Sequence, residues 1–306
     1  MIGIVLCLAL LVGCGQGTPR PTSAPTRPRP TPLPTATPLP PLPTLPPFGS
    51  QANPLVFMLV NPNAAAATTK ADALAKTFAT DLNMVVQVKV TQSYGEARAA
   101  LCGGAATVVT ASAFAYLSAV EQGCGDGLFT AEVGGATSTQ GEMLAGLGRS
   151  IFTLKGFAGY RFCRPDALSV NGWFVPTLAL KANQVDPLGD LDQVINSGSD
   201  AGVVKDIIAL KCDVGAARLG AETGIAGAKS VLVIEKLPPV PNDTLMVSSR
   251  LDSAARAPTE DEIRKHQSDL AGIMGVDNLV VANDTDFDAL RQLFKDANID
   301  VLSMGN

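Results

Sequence analysis

The chain is short of the residues on which most enzyme chemistry rests. It holds one histidine, His266, one tryptophan, Trp173, and three tyrosines in 306 residues, and aromatics make up 5% of the total. Imidazole catalysis therefore has a single candidate. His266 falls in the polar run Arg264-Lys-His-Gln-Ser268, apart from the donor-rich turns described below. Positive charge is scarce too: 23 Lys and Arg against 28 Asp and Glu give a formal charge of −5, which argues against nucleic acid as a partner. The six cysteines include no CxxC spacing and none beside the histidine, so no metal-ligand motif is legible and no cofactor is expected. Gly146-Leu-Gly148 lacks the third glycine of a dinucleotide loop. What remains is a chain that is 46% hydrophobic, enough to bury the cores of two compact lobes.

Its first 13 residues are almost wholly apolar and end in Leu11-Val12-Gly13-Cys14. That run falls short of the ~20 residues a spanning helix needs and suits the core of a signal peptide. Small residues before a cysteine resemble the bacterial lipobox, which makes 1–14 a lipoprotein signal with Cys14 as the lipidated residue; the departure is that no Lys or Arg precedes the apolar core. Residues 18–48 are rich in Pro and Thr, with Arg20, Arg27 and Arg29 as the only charges. Such a segment cannot bury a core and favours polyproline II, so 15–52 is expected to be a disordered tether reaching up to ~90 Å. Export leaves Cys102, Cys124, Cys163 and Cys212 as an even set with three possible pairings.

Past the tether, strand-like and helix-like patterns alternate. Pro54–Val60 is a short apolar run of the buried-strand type, followed by Ala71, Leu74, Ala75, Phe78 and Leu82 on one helical face. Met84–Val90 alternates as a strand, Ser93-Tyr94-Gly95-Glu96 is a capping box, and Thr107–Thr110 is a strand before the cap Ser112. Further strands are expected at 141–145, 161–163, 191–195, 212–217 and 231–234, and helices at 173–181, 203–208, 260–274 and 287–297. This alternation predicts α/β lobes with mainly parallel sheets. The richest corner is Arg161 to Pro176, where Ser169 and Asn171 precede an apolar helical run. Their side chains and the first free amides of the helix make a seat for an anion. Tyr94, Thr110, Ser112 and Ser199 fall at similar strand-to-helix corners.

The order of motifs from about residue 53 onward resembles the phosphate, phosphite and phosphonate substrate-binding proteins of ABC transporters. The resemblance is carried by Pro54-Leu-Val-Phe57, Ser93-Tyr94, Leu154-Lys-Gly156 and Arg164-Pro-Asp-Ala-Leu-Ser-Val-Asn-Gly-Trp173. Ser197-Gly-Ser-Asp200, Cys212-Asp-Val-Gly215 and Pro239-Val-Pro-Asn-Asp243 continue it, and the segment 277–293 closes it. It implies a type II periplasmic-binding-protein fold, with 53–140 and 241–306 in lobe 1, 141–240 in lobe 2, and crossings near 141–146 and 235–243. In that family oxyanions sit on a Ser-Thr-Ser turn, which falls here on Ser169, Val170 and Asn171. Tyr94 and Thr110 would close the pocket, and Asp243 keeps an acidic position. Ser199 stands where a histidine is usual, and Arg218 stands near a second acid. Losing a hydroxyl and an imidazole costs ~1–3 kcal/mol for each partner left unpaired, and Arg218 is expected to compensate by gripping an oxyanion. The fold also implies the pairings Cys102–Cys124 and Cys163–Cys212.

The expected molecule is thus not an enzyme. It is a monomeric, lipid-anchored extracytoplasmic receptor that closes over a small anion and passes it to an ABC permease. The replacements at Val170 and Ser199 keep a second reading open, a sensory or surface-interaction module with a degenerate pocket. Asp284-Thr-Asp286-Phe-Asp288 resembles a calcium loop but has Ala289 where glycine is needed and no closing glutamate, so it is read as a solvated helix start.

Overall fold

The computed structural model describes residues 46–304, so the expected signal segment, the lipobox Cys14 and most of the expected tether lie outside the described residues. Folded structure begins before residue 53. Gly49 N donates to Asn53 O at 2.8 Å, Val85 N donates to Gly49 O at 2.7 Å, and Phe48 packs on a buried cluster. The last residues of the expected tether are therefore pinned to the lobe they precede.

Three strand–helix units come next: β1 (Leu55–Val60), α1 (Ala64–Leu82), β2 (Val86–Thr91), α2 (Tyr94–Gly103), β3 (Val108–Ala111) and α3 (Ala113–Glu121). Then β4 (Gly125–Glu132) and β5 (Ser138–Thr139) lead across to β6 (Gly141–Gly146) and β7 (Arg161–Arg164). A π-helical turn (Val170–Phe174) runs into α4 (Val175–Ala182), followed by β8 (Gln193–Asn196), α5 (Asp200–Ile208), β9 (Val214–Arg218) and β10 (Val231–Lys236). The chain returns through β11 (Val240–Pro241) to β12 (Thr244–Ser248), α6 (Ser253–Lys265), α7 (Gln267–Met274), β13 (Asn278–Val281) and α8 (Asp288–Asp296).

Two large sheets result, with strand orders β13-β4-β12-β3-β1-β2 and β10-β6-β9-β7-β8, beside a two-stranded ribbon of β11 and β5. Each large sheet is mixed. β1 pairs in parallel with β2 and β3, and β7 with β8 and β9. The other pairs are antiparallel: β12, which arrives from the second crossing, against β3 and β4; β13 against β4; and β6, which arrives from the first crossing, against β9 and β10. A strand that arrives from the other lobe enters its sheet from the opposite edge, so it meets its neighbours head to tail. β4 is hard to read from sequence because its first half, Gly125-Asp-Gly127, looks like a turn; β12 directly succeeds a proline-rich turn that masks it.

The first sheet is covered on both faces. Phe57, Phe78, Leu245, Ile263 and Leu270 fill the side under α1, α6 and α7, while Leu101, Val109, Tyr116 and Phe287 fill the other. Each of these side chains contributes ~1.5–3 kcal/mol by leaving water. In the second sheet, Phe162 and Leu178 pack under α4, and Leu144, Cys163 and Val204 under α5. The expected single helix 260–274 is two, α6 and α7, broken at His266. The Ser93 cap forms, with Glu96 N donating to Ser93 Oγ at 3.1 Å, but the Glu96 carboxylate accepts from Thr91 Oγ1 instead of completing the box.

Both expected disulfides form. Cys102–Cys124 closes α2 and α3 over a separation of 22 residues, and Cys163–Cys212 ties β7 to the start of β9 over 49. Chain entropy then predicts that replacing the second pair with alanines costs about 4 kcal/mol and the first about 3 kcal/mol. Urea midpoints of the two paired variants test the order; equal losses from both would show that loop length is not the controlling factor.

Candidate functional site

The turn after β7 is shaped by close contacts. Pro165 ends the strand, and Asp166 Oδ1 accepts from Leu168 N at 2.7 Å. Ser169 caps the next turn, its Oγ accepting from Gly172 N at 3.0 Å. The chain then winds wide: Phe174 N donates to Ser169 O at 3.0 Å, and Val175 N donates to Val170 O, both five residues back. A π turn replaces the start of the expected α-helix, a local widening that is often found at functional sites. Two glycines permit the seating. A Cβ at Gly172 would lie 2.2 Å from Pro165 Cδ, and one at Gly141 would lie 2.6 Å from the carbonyl oxygen of Asn171.

That seating brings Val170 to a cavity of about 260 Å³ at the meeting of the two lobes. Lobe 1 supplies Ser112, Ala113 and Phe114 at the N-terminus of α3, with Ala131 and Val133 at the end of β4. The crossings supply Thr139 and the run Val240 to Asp243. They lie side by side, β11 pairing with β5, and Asn242 Nδ2 donates to Ala131 O at 3.1 Å and Ala136 O at 2.8 Å. The first crossing thus lies before residue 141, and the expected crossing segment 141–146 is strand β6.

Tyr94 Oη donates to Asp243 Oδ2 at 2.6 Å, which joins the start of α2 to the second crossing. Burial raises the Asp243 carboxyl to about 6, an effect the Tyr94 hydrogen bond partly offsets. The Tyr94 hydroxyl is itself pushed up, first by burial and then by the carboxylate beside it. A second carboxylate behaves alike. Glu142, 1% exposed on β6, is raised to about 7 by burial and by its neighbour Glu222.

Of the nine expected site residues, Ser112, Val170 and Asp243 line the cavity, and Tyr94 joins it through Asp243. Asn171 is buried beside Val170 with its Oδ1 unpartnered, and Thr110 is buried in β3 with its Oγ1 unpartnered. Ser169 spends its oxygen on the turn. Ser199 and Arg218 are not on the wall: Ser199 Oγ accepts from Gly202 N at 3.0 Å as the cap of α5, and Arg218 is exposed at the end of β9, its backbone N donating to Asp200 Oδ1. Neither Lys nor Arg is among the lining residues, so the compensating role expected of Arg218 is not realised there. A cation does lie against the turn: Arg164 sits 4.2 Å over the Trp173 ring and donates from Nε to Asn196 Oδ1. Sequence reasoning passes over Phe114 and Val133 because they read as core. In the segment that resembles a calcium loop, Asp284 Oδ1 accepts from Tyr116 Oη and pairs with Arg291.

A model of the ABC-transporter phosphonate periplasmic substrate-binding proteins matches residues 58–287. Among solved structures, XAC2383 of Xanthomonas citri with chloride ion bound aligns with a TM-score of 0.55 at 16% identity, over 80% of this chain and 97% of that one. A binding protein component of an ABC phosphonate transporter from Pseudomonas aeruginosa aligns with a TM-score of 0.47 at 16% identity, over 85% and 89%. No curated protein sequence gives a significant match. At such identities the structural likeness speaks to fold only.

Among the described residues three carboxyls are raised: Glu235 by burial, and Asp243 and Glu142 far enough to set a pH response. The stability each contributes is full below its unfolded value, 3.8 for Asp243 and 4.5 for Glu142, and is lost as pH rises through about 6 and about 7. The chain should therefore lose stability between about pH 4 and pH 7. Asp243→Asn and Glu142→Gln should each flatten that slope in denaturant titrations, and an unchanged slope in the double variant would place the titration elsewhere.

Proposed function

We propose, on the premise that the chain belongs to the family of phosphonate periplasmic substrate-binding proteins of ABC transporters and has its type II two-lobed fold, that it is a lipid-anchored receptor for a small oxyanion. The ligand class is phosphonate, phosphite or phosphate, held between the lobes and delivered to a membrane permease. Cys14 would carry the anchor. No helix among the described residues is long and apolar enough to cross a membrane.

The observation that carries the reading is the composition of the cavity wall: residues from both lobes and from both crossings meet there. A ligand that touches all of them stabilises the closed arrangement over any open one. The donors at hand are the first amides of α3, the Ser112 hydroxyl, and the Asn171 amide behind Val170. Helix amides and hydroxyls hold an oxyanion without a formal cation. Asp243 faces the same space, so an anion is received best when that carboxyl is protonated. A second reading has its own support. Ala113, Val133, Val170, Val240 and Val276 make much of the wall apolar, which suits a sensory module with a different, less charged ligand.

Thermal unfolding of the purified chain separates the two. Methylphosphonate, phosphite or phosphate at 100 times its dissociation constant should add ~2.7 kcal/mol of stability. The shift should be larger at pH 5 than at pH 8, and Ser112→Ala and Asn171→Ala should reduce it where Ser199→Ala and Arg218→Ala do not. No shift from any oxyanion would leave the sensory reading in place. Radiolabelled lipid incorporated by the wild type and lost in Cys14→Ser would test the anchor independently.

A further inference from the structure

The chain's one histidine takes no part in the cleft. His266 sits at the break between α6 and α7, where its backbone (φ −111°, ψ 28°) leaves the helix. Its ring stands edge-on to Phe78 at 5.4 Å and is 17% exposed. Nδ1 lies 2.9 Å from Asp269 Oδ2. A carboxylate only accepts, so Nδ1 carries the proton in that bond. In the neutral ring the lone pair is then on Nε2. It is buried and lies 3.1 Å from Glu262 Oε1 without completing a hydrogen bond. With the ring neutral, that nitrogen and the Glu262 oxygen are two acceptors facing each other, a pair that a proton or a metal cation between them reconciles.

A third acceptor converges from another element. Asp81 is the next-to-last residue of α1, and ligand atoms of Asp81, Glu262 and His266 lie within 4.8 Å of one another. The Lys265 ammonium bonds to Asp81 and reaches Glu262 Oε1 at 3.5 Å. Its side chain is 57% exposed, on a flexible stem that can turn out to solvent.

We propose that Asp81, Glu262 and His266 form a binding site for a divalent transition ion of the zinc class, for which the Lys265 ammonium is the competitor. One ring nitrogen with two carboxylates suits zinc, cobalt or nickel better than magnesium or calcium, which prefer all-oxygen sites. Asp269 fulfils the usual outer role, fixing the tautomer and orientation of the ligating ring. The site lies at the end of α1 that leads into β2, the opposite edge of the sheet from the helix N-termini at the cleft. A bound ion therefore clamps α1 to the α6–α7 elbow without touching the solute, and the inference stands apart from the transport reading.

The test is a zinc titration of the untagged full chain by calorimetry, with the imidazole followed by NMR. Because His266 is the only histidine, any shifted imidazole signal belongs to it. One ion should bind saturably and shift that signal. Asp81→Asn and His266→Gln should each weaken binding at least ~10-fold, the low end of what even an outer-sphere loss costs, and Lys265→Met should strengthen it. Melts in chelator check that each variant folds, and the exposed Asp81 keeps the test open if His266→Gln does not. Absence of saturable binding by both the wild type and Lys265→Met overturns the proposal. So does His266→Gln binding zinc as tightly as the wild type, because the ion then sits elsewhere.

Discussion

A side chain at position 141 would run into the carbonyl of Asn171, and one at 172 would run into the ring of Pro165. The cleft depends on these two close approaches. They let the turn after β7 lie flat on the first residue of β6, which is where the chain has just crossed from lobe 1. Val170 thereby reaches the cavity, Asn171 is buried behind it, and the wide π turn delivers Phe174 toward lobe 1. Move the turn outward by one methyl group and lobe 2 loses its wall residue. Backbone-to-backbone fit, rather than any polar bond, positions the second lobe's contribution.

The electrostatics around that seat come from one carboxyl and from neutral dipoles. The charged group on the wall is a carboxyl, Asp243, shielded from water and held by a tyrosine hydroxyl. Low-dielectric surroundings such as those that raise Asp243 also strengthen hydrogen bonds from helix amides relative to water. Polarity on this wall comes largely from the orientation of neutral dipoles.

The sequence made the architecture largely legible, because apolar runs and caps are local signals. Ser93, Ser112, Ser169 and Ser199 all prove to be N-caps, each accepting from an amide three residues on. That success is also why the site was only partly legible. A cap looks the same whether its helix opens on the cleft, as with Ser112, or on solvent, as with Ser199. Arg218 stands out in the sequence for its charge near an expected acid, yet β9 ends with its side chain exposed, and no local pattern reports which way a strand end points. β4 and β12 are hidden because glycines and prolines at their borders outweigh a short apolar run. Antiparallel entry from the crossings is a property of the whole chain path, which no window of sequence contains.

The two lobes are not joined by the crossings alone. Phe114 of α3 lies 6.1 Å from Phe174 of the π turn and 6.0 Å from Phe294 of α8, ring centre to ring centre. One buried cluster runs through both lobes at this point, from Tyr116 and Phe287 to Met143 and Leu178. Aromatic contacts of this kind are worth ~0.5–1.5 kcal/mol each beyond the area they bury. A hinge at β5 and β11 must therefore either pivot about the phenylalanines or pull them apart. Since Phe114 also lines the cavity, a ligand that fills the cavity supports the cluster from its wet side. Closure and occupancy draw on the same contacts, which couples them without any need for a charge on the wall.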